Sequence, residues 1–420
     1  MILEKPKLFE HTKSLGIFLT FCLGILIFRL FISYEAYEEF ITKPFYYSDV
    51  EVLQSYKKCK GKRCYTVLKL RSQEGLSFYT TRYQLEDLRS YHLRLQLFPS
   101  DKISFADFLG TFYVKSKIKK RIPLPTSLKQ RLVDKIASQH TEAKLSSFYE
   151  AIFLARPLDK TLREGINALG ISHLVALSGF HLGILWAVIY ALLLFLYKPF
   201  WQRYFPFRQA LFDLGLVSMA FLALYVYFVD FPPSLLRAYA MILGAWSVSL
   251  LGLEILSFTF LWALVFVLLA LFPFLLVSLS FWLSIAGVFY IYLLLYYLPK
   301  DFKWLMTLLF IPVGIFVLML PIIHSVFPLT TLYQLFSPVL SLVFVPFYPL
   351  SILAHLLSLG DFADDSLLRL FSLKVASYEL LLPWEYVSAY VLVSLLAMGH
   401  RYIFYFLFLM ASVFGIYLFF

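Results

Sequence analysis

Charge is scarce in this sequence. Only 15% of its 420 residues are Asp, Glu, Lys or Arg, against about a quarter in soluble domains. With 60% of the residues hydrophobic, an ordinary water-soluble globule is excluded. Cysteine is scarcer still, at three residues. One closely spaced pair without a neighbouring His does not make a structural zinc site. No G-x-x-x-x-G-K-[ST] loop is present, so energy for any transport must come from a partner ATPase or the membrane potential. The eight histidines (His11, His92, His140, His173, His181, His324, His355 and His400) contain no His-x-His-x-Asp-His arrangement. Neither a metal site nor another cofactor is expected. No A-x-A-like cleavage site follows the first apolar stretch, so that stretch reads as a retained span and not as a cleaved signal.

Long apolar runs take the place of charge. A run of about 20 apolar residues crosses a hydrocarbon core of roughly 30 Å as a helix. The first covers Leu15 to Ile32 behind a basic head, with Cys22 inside it and Arg29 placed to snorkel to the interface. Further spans are expected at 173–197, 209–229, 235–253, 255–272, 274–298, 303–323, 334–358, 386–399 and 402–420, about ten in all. The basic joints KPFWQRYFPFR (198–208) and PKDFK (299–303) belong on the cytoplasmic side. With the N-terminus also inside, the segment after the first span falls outside, and 361–374 falls inside as an interfacial helix. The chain reads as residues 1–35, an N-terminus and first helix; 45–125, a β domain; 126–168, surface helices; and 169–420, a multi-span domain.

The β domain is expected from alternation in 65–72, 76–83, 91–98 and 103–114, bounded by Gly61, Gly75 and Pro99. About five short strands suggest an OB-like barrel. Between Lys57 and Arg131 there are 18 Lys and Arg against 5 Asp and Glu, a surplus of 13, while the whole chain carries +11. Such a surface binds phosphate backbones through counterion release. Candidate contacts are Lys57, Lys58, Lys60, Lys62, Arg63, Arg71 and Arg82, with Tyr56, Tyr65, Tyr79, Tyr83 and Tyr91 available to stack on bases. Anionic lipid headgroups are the other partner of this chemistry, above all for KSKIKKR (115–121). Cys59 and Cys64 flank a turn-like tetrapeptide; in an oxidising compartment they form a disulfide, and in a reducing one they stay thiols.

Polar residues in apolar surroundings cluster twice. In GISHLVALSGFHLGILWAV (170–188), His173, Ser178 and His181 stand where a helix enters the membrane, and Gly179 and Gly183 offer a close-packing edge. In DFPPSLLRAYAMILGAW (230–246), Ser234 is the expected N-cap and Arg237 lies one turn in. These segments resemble the ComEC-type competence family of DNA-uptake channels. Gly170-Ile171-Ser172-His173-Leu174, Ser178-Gly179-x-His181 and Pro233-Ser234-x-x-Arg237-Ala238 match its motifs. Pro273, Phe281, Leu283 and Ser284 match a third, where Ser280 and Trp282 replace the family's Gly and Gln.

The resemblance implies an inner-membrane channel for single-stranded DNA, with His173, Ser178, Gly179, His181, Gly183, Ser234 and Arg237 along its path. It implies a periplasmic DNA receptor and a cytoplasmic ATPase or helicase as partners, with a homo-oligomer as a further possibility. The metallo-β-lactamase-like domain of many members is not expected here, so the chain reads as a short, non-enzymatic variant. Two other readings stand beside it. Ser178 and His181 could serve an intramembrane serine hydrolase, although no third orienting group is evident. A small-solute or lipid-linked transporter would explain the spans but not the basic domain.

Overall fold

In the computed structural model, residues 8–9, 11–60, 63–83, 88, 91–123, 128–254, 256–297, 304–373 and 376–420 are described. The chain divides into two units, one of His11–Arg131 with Ala263–Leu279, the other of Leu132–Trp262 with Ser280–Phe420.

The first unit begins with helix α1 (Thr12–Thr42). Its 31 residues span about 46 Å at 1.5 Å per residue, longer than the expected span alone. The surplus has a use: Phe40 is buried in the β core, and Tyr37 donates from its hydroxyl to the Ile103 carbonyl (2.8 Å). Strands β1 (Tyr46–Lys60), β2 (Arg63–Ser72), β3 (Ser77–Arg82) and β4 (Tyr91–Phe98) follow. Then come helix α2 (Phe105–Leu109), β5 (Thr111–Tyr113) and β6 (Lys115–Pro123). The sheet order is β5-β3-β2-β1-β4-β6, with β3–β5 parallel and the other pairs antiparallel. Alternation puts Val50, Leu68, Leu70, Phe78, Leu93, Leu95 and Leu97 inside. Each such side chain contributes roughly 1.5–3 kcal/mol on burial.

One expectation for this unit changes. Residues 103–114 are not one strand. Ser104 caps a short helix in a reciprocal box, accepting from the Asp107 N–H (3.2 Å) while Asp107 accepts from the Ser104 N–H (3.1 Å). The local caps outcompete the alternation. KSKIKKR forms most of β6, paired with β4. A single residue, Val114, separates β5 from β6, which pair with opposite ends of the sheet. Its N–H donates to the Tyr79 carbonyl (3.0 Å), and the Thr80 and Ser116 hydroxyls meet at 2.9 Å.

Chain order continues with helices α3 (Leu128–Ala137), α4 (Ala143–Leu154), α5 (Lys160–Ala168), α6 (Ser172–Val175), α7 (Gly179–Phe200), α8 (Ala210–Phe228) and α9 (Pro233–Leu250). After these come α10 (Phe258–Leu271), α11 (Leu279–Tyr297), α12 (Trp304–Ile323), α13 (Ser337–Leu356), α14 (Asp364–Phe371), α15 (Trp384–Leu396) and α16 (Arg401–Phe419). Among the described residues, six segments are long and apolar enough to cross a membrane: Lys13–Thr42, Gly179–Phe200, Ala210–Phe228, Leu279–Tyr297, Leu332–Leu356 and Arg401–Phe419. Four shorter apolar helices, at Ser234–Leu250, Phe258–Leu271, Leu308–Ile323 and Trp384–Leu396, stand at the other expected spans. Tyrosine hydroxyls join helices in the second unit. Tyr225 donates to the Phe153 carbonyl (3.0 Å), Tyr390 to Leu318 (2.9 Å) and Tyr297 to Ala397 (2.7 Å). In hydrocarbon such bonds hold helices together where apolar burial gives no net drive.

Candidate functional site

The expected continuous helix over 173–197 is broken. His173 lies on the one-turn helix α6, and α7 starts afresh at Gly179. The break follows from Ser178, whose extended backbone (φ −139°, ψ 177°) lets it cap α7. Its hydroxyl oxygen accepts from the Phe180 N–H (3.3 Å). The Ser178 N–H in turn donates to His181 Nδ1 (3.3 Å), and the hydroxyl stands 3.2 Å from the same nitrogen. His181 thus occupies the position that Glu or Gln takes in an ordinary capping box. With Nδ1 accepting, the ring proton sits on Nε2 in the neutral tautomer. That ring is fully buried, edge-on to Phe344 and Tyr348 at 5.0 and 4.9 Å between centroids. Nε2 has no hydrogen-bond partner among the described residues.

Upstream, Gly170 turns the chain with φ +69°, and a Cβ there would lie 2.9 Å from Gln334 Cγ. Ser337 donates to the Gly170 carbonyl (3.1 Å), and Thr331 donates to the Ala168 carbonyl. Ser341 spends its proton on the Ser337 carbonyl (2.8 Å), so it accepts from His173 Nε2 (3.2 Å). The start of α13 and the turn before it thereby hold the whole 168–173 turn. His173 itself remains exposed.

The second cluster packs onto the first. Ser234 donates from its hydroxyl to the Leu177 carbonyl (2.7 Å). It is not the N-cap; Pro232 holds that position and Pro233 begins the helix, because Pro lacks an N–H that would go unpaired there. A Cβ on Gly179 would approach Ala238 Cβ to 3.2 Å, so α7 and α9 meet closely at that point. Gly183 has no such role, since a Cβ there would meet nothing within 4 Å. Arg237 is buried, its guanidinium carbon 5.8 Å from the centre of the Phe281 ring. All three motif segments therefore converge in one place. Two consecutive residues with positive φ, Asp230 (65°) and Phe231 (50°), turn the chain into this helix.

In the β unit, the basic candidates divide by face. Lys58, Lys69 and Arg71 share the side of Tyr56, Tyr65 and Tyr79, whereas Lys57 and Arg82 register on the other side across Thr66. Lys60 and Arg63 are paired at the hairpin end, and Lys62 lies outside the described residues. Cys59 and Cys64 face each other and form a disulfide. Lys69 stands 5.8 Å over the Tyr79 ring, and burial, reinforced by the Arg71 charge, holds its ammonium below the ordinary lysine value. Sequence reasoning missed Lys69, Arg94 and the role of β6. Lys120 lies beside Arg94, and Lys117 beside Gln96, in adjacent strands. The signal was present in the every-second-residue spacing of Lys115, Lys117 and Lys119. It also missed Gln334, Ser341, Phe344 and Tyr348, which complete the motif's surroundings from α13 and the turn before it.

The sequence profile of the competence protein family matches residues 155–419. No curated protein and no solved structure matches the chain. The profile covers more than half of the chain and takes in all three convergent segments, and on that ground the chain belongs to the competence protein family.

Proposed function

We propose that the chain carries single-stranded DNA across the cytoplasmic membrane during natural transformation. Family membership supports a role in DNA uptake. The observation that carries the finer reading is the convergence of the 170–183 and 233–238 segments at the start of two neighbouring apolar helices. His173, Ser178, Gly179, His181, Ser234 and Arg237 line or build the entrance in this reading. The β unit is an OB-like barrel closed by the bent β5–β6 segment, and it captures DNA outside the cell membrane. The disulfide suits that oxidising side. A DNA receptor delivers the strand, and a cytoplasmic ATPase or helicase pulls it, since the chain has no nucleotide-binding loop of its own. A non-enzymatic role is favoured because Ser178 and His181 are committed to a helix cap, with no carboxylate on His181 Nε2 among the described residues.

The test is deletion in a naturally competent host, followed by separate measurement of DNA reaching a nuclease-protected state and DNA reaching the cytoplasm. The expected outcome is that protected DNA still accumulates while cytoplasmic entry and transformation are lost. Undiminished transformation overturns the proposal.

A further inference from the structure

Away from the motif segments, three side chains far apart in sequence form a buried chain. His140 Nδ1 lies 3.0 and 2.9 Å from the two carboxylate oxygens of Asp364. His140 Nε2 lies 3.0 Å from His355 Nε2. His355 Nδ1 lies 2.7 Å from the Ser351 carbonyl. The His140 side chain is fully buried and that of Asp364 is 13% exposed. Gln139 reinforces the junction, donating to the His355 carbonyl (3.2 Å) and accepting from the Gly360 N–H (3.0 Å).

A carbonyl only accepts, so His355 Nδ1 carries hydrogen. An ionised carboxylate only accepts, so His140 Nδ1 carries hydrogen as well. If both rings are neutral, the two Nε2 atoms are bare lone pairs facing each other at 3.0 Å, which is repulsive. The contact is a hydrogen bond only with one more proton. That proton sits either between the two Nε2 atoms, making an imidazolium, or on Asp364, which then donates to His140 Nδ1 and leaves Nε2–H to donate to His355. The proton count is the same in both arrangements.

We propose that Asp364, His140 and His355 form a proton-binding site that holds one proton beyond the ionised-carboxylate, neutral-imidazole state. Burial of the His355 ring opposes the added charge, and three surrounding features favour it. Tyr149 stacks on His140 with centroids 4.6 Å apart and planes 8° apart, and it lies 4.4 Å from the His355 ring, a face suited to a cation. His355 occupies the last turn of α13, where the helix dipole favours positive charge. Asp364 supplies the counter-charge. Tyr149 is the other titratable group against the pair; Lys135, Glu142, Lys144, Asp361 and Asp365 on the packed elements are exposed. The bound proton fastens the joint between α3 and α4, and the start of α14, to the end of α13, the helix whose earlier turns carry Ser341, Phe344 and Tyr348 to the candidate site.

The consequence is a proton linkage with a definite sign. In the unfolded chain the carboxyl titrates near about 3.9 and the imidazoles near about 6.5. Wherever the folded trio holds a proton that the unfolded chain has released, stability falls as pH rises. The experiment is thermal melting of the full-length protein in detergent, followed by tryptophan fluorescence, from about pH 6.5 to about pH 9. The wild type is expected to lose melting temperature as pH rises within that range. Asp364→Asn supplies a neutral donor and acceptor, needs no added proton, and is expected to lose much less. Equal slopes in the two proteins overturn the proposal. A stoichiometric metal ion in the purified protein, whose removal by chelator lowers the melting temperature at every pH, also overturns it. If Asp364→Asn does not accumulate, the wild type decides by itself. Calorimetric melts at about pH 8 in buffers of low and high ionisation enthalpy differ if unfolding releases the proton. Equal enthalpies overturn the site.

Discussion

Ser178 and His181 stand at hydrogen-bonding distance, yet their atoms are arranged as a cap and not as a nucleophile with its base. The Ser178 hydroxyl accepts from the backbone of α7, and His181 accepts from the backbone of Ser178. This arrangement makes Ser178→Asn informative, because Asn caps as well as Ser but has no hydroxyl. It is expected to keep both the amount of membrane-inserted protein and transformation near the wild-type level. Ser178→Ala loses the cap and is expected to cost about 1 kcal/mol in detergent melts. If Ser178→Asn abolishes transformation at a normal protein level, Ser178 has a chemical role and the cap is incidental. His181→Ala is a harsher change. It removes a buried ring from between Phe344 and Tyr348 and leaves the Ser178 N–H without its acceptor, for a loss of roughly 3–5 kcal/mol. His181→Gln, which can still accept from that N–H, is expected to recover part of the loss in the same melts.

Between helices, Gly215 makes the tightest glycine contact among the described residues. A Cβ on Gly215 of α8 would stand 2.0 Å from Trp246 Nε1 and 2.7 Å from Cε2, and the indole is held by donating to the Leu211 carbonyl (3.2 Å). Gly215→Ala is therefore expected to lower the stability of the α8–α9 pair by about 1–3 kcal/mol. Adding Trp246→Leu should restore part of it, which a double-mutant comparison of melting temperatures measures. Element by element, what was legible in the sequence follows the range of the forces. Helices over 210–228 and 401–419 were readable because apolar length alone defines them. Helix α2 was not, because five residues are too short to show a period and its caps compete with an alternating pattern. The break before Gly179 was hidden because an apolar run reads the same whether continuous or recapped. The partners of the motif were illegible for another reason. Gly170 meets Ser337 and His173 meets Ser341, about 170 residues away, and no local pattern specifies such a pairing. The Asp364–His140–His355 chain, with separations of 224 and 215 residues, is the extreme case.

On the scale of the molecule, the basic surplus of the β unit fits two kinds of phosphate-bearing partner. Phosphate on a nucleic acid and phosphate on a lipid attract the same lysines, but they predict different behaviour. Binding to a strand releases condensed counterions, so the logarithm of the affinity falls linearly with the logarithm of salt, by about 0.7 for each phosphate contact on single strands. A lipid surface gives about 1 kcal/mol for each basic residue near it and requires anionic headgroups. Strand β6 separates the two, because it presents Lys115, Lys117, Lys119 and Lys120, all exposed. Replacing these four with Gln in the full-length protein is expected to flatten the salt dependence of single-strand binding by up to about 3, if all four touch phosphate. Binding that stays equally steep, together with lost affinity for vesicles containing anionic lipid, would assign β6 to the membrane surface. The tyrosines add an independent readout. Tyr79, beneath Lys69, lies on the face shared with Arg71, and a base stacked there is worth about 1–3 kcal/mol whatever the salt. Tyr79→Ala should thus weaken single-strand binding by a factor of roughly 5–150 without changing the slope, a response that headgroup binding does not produce.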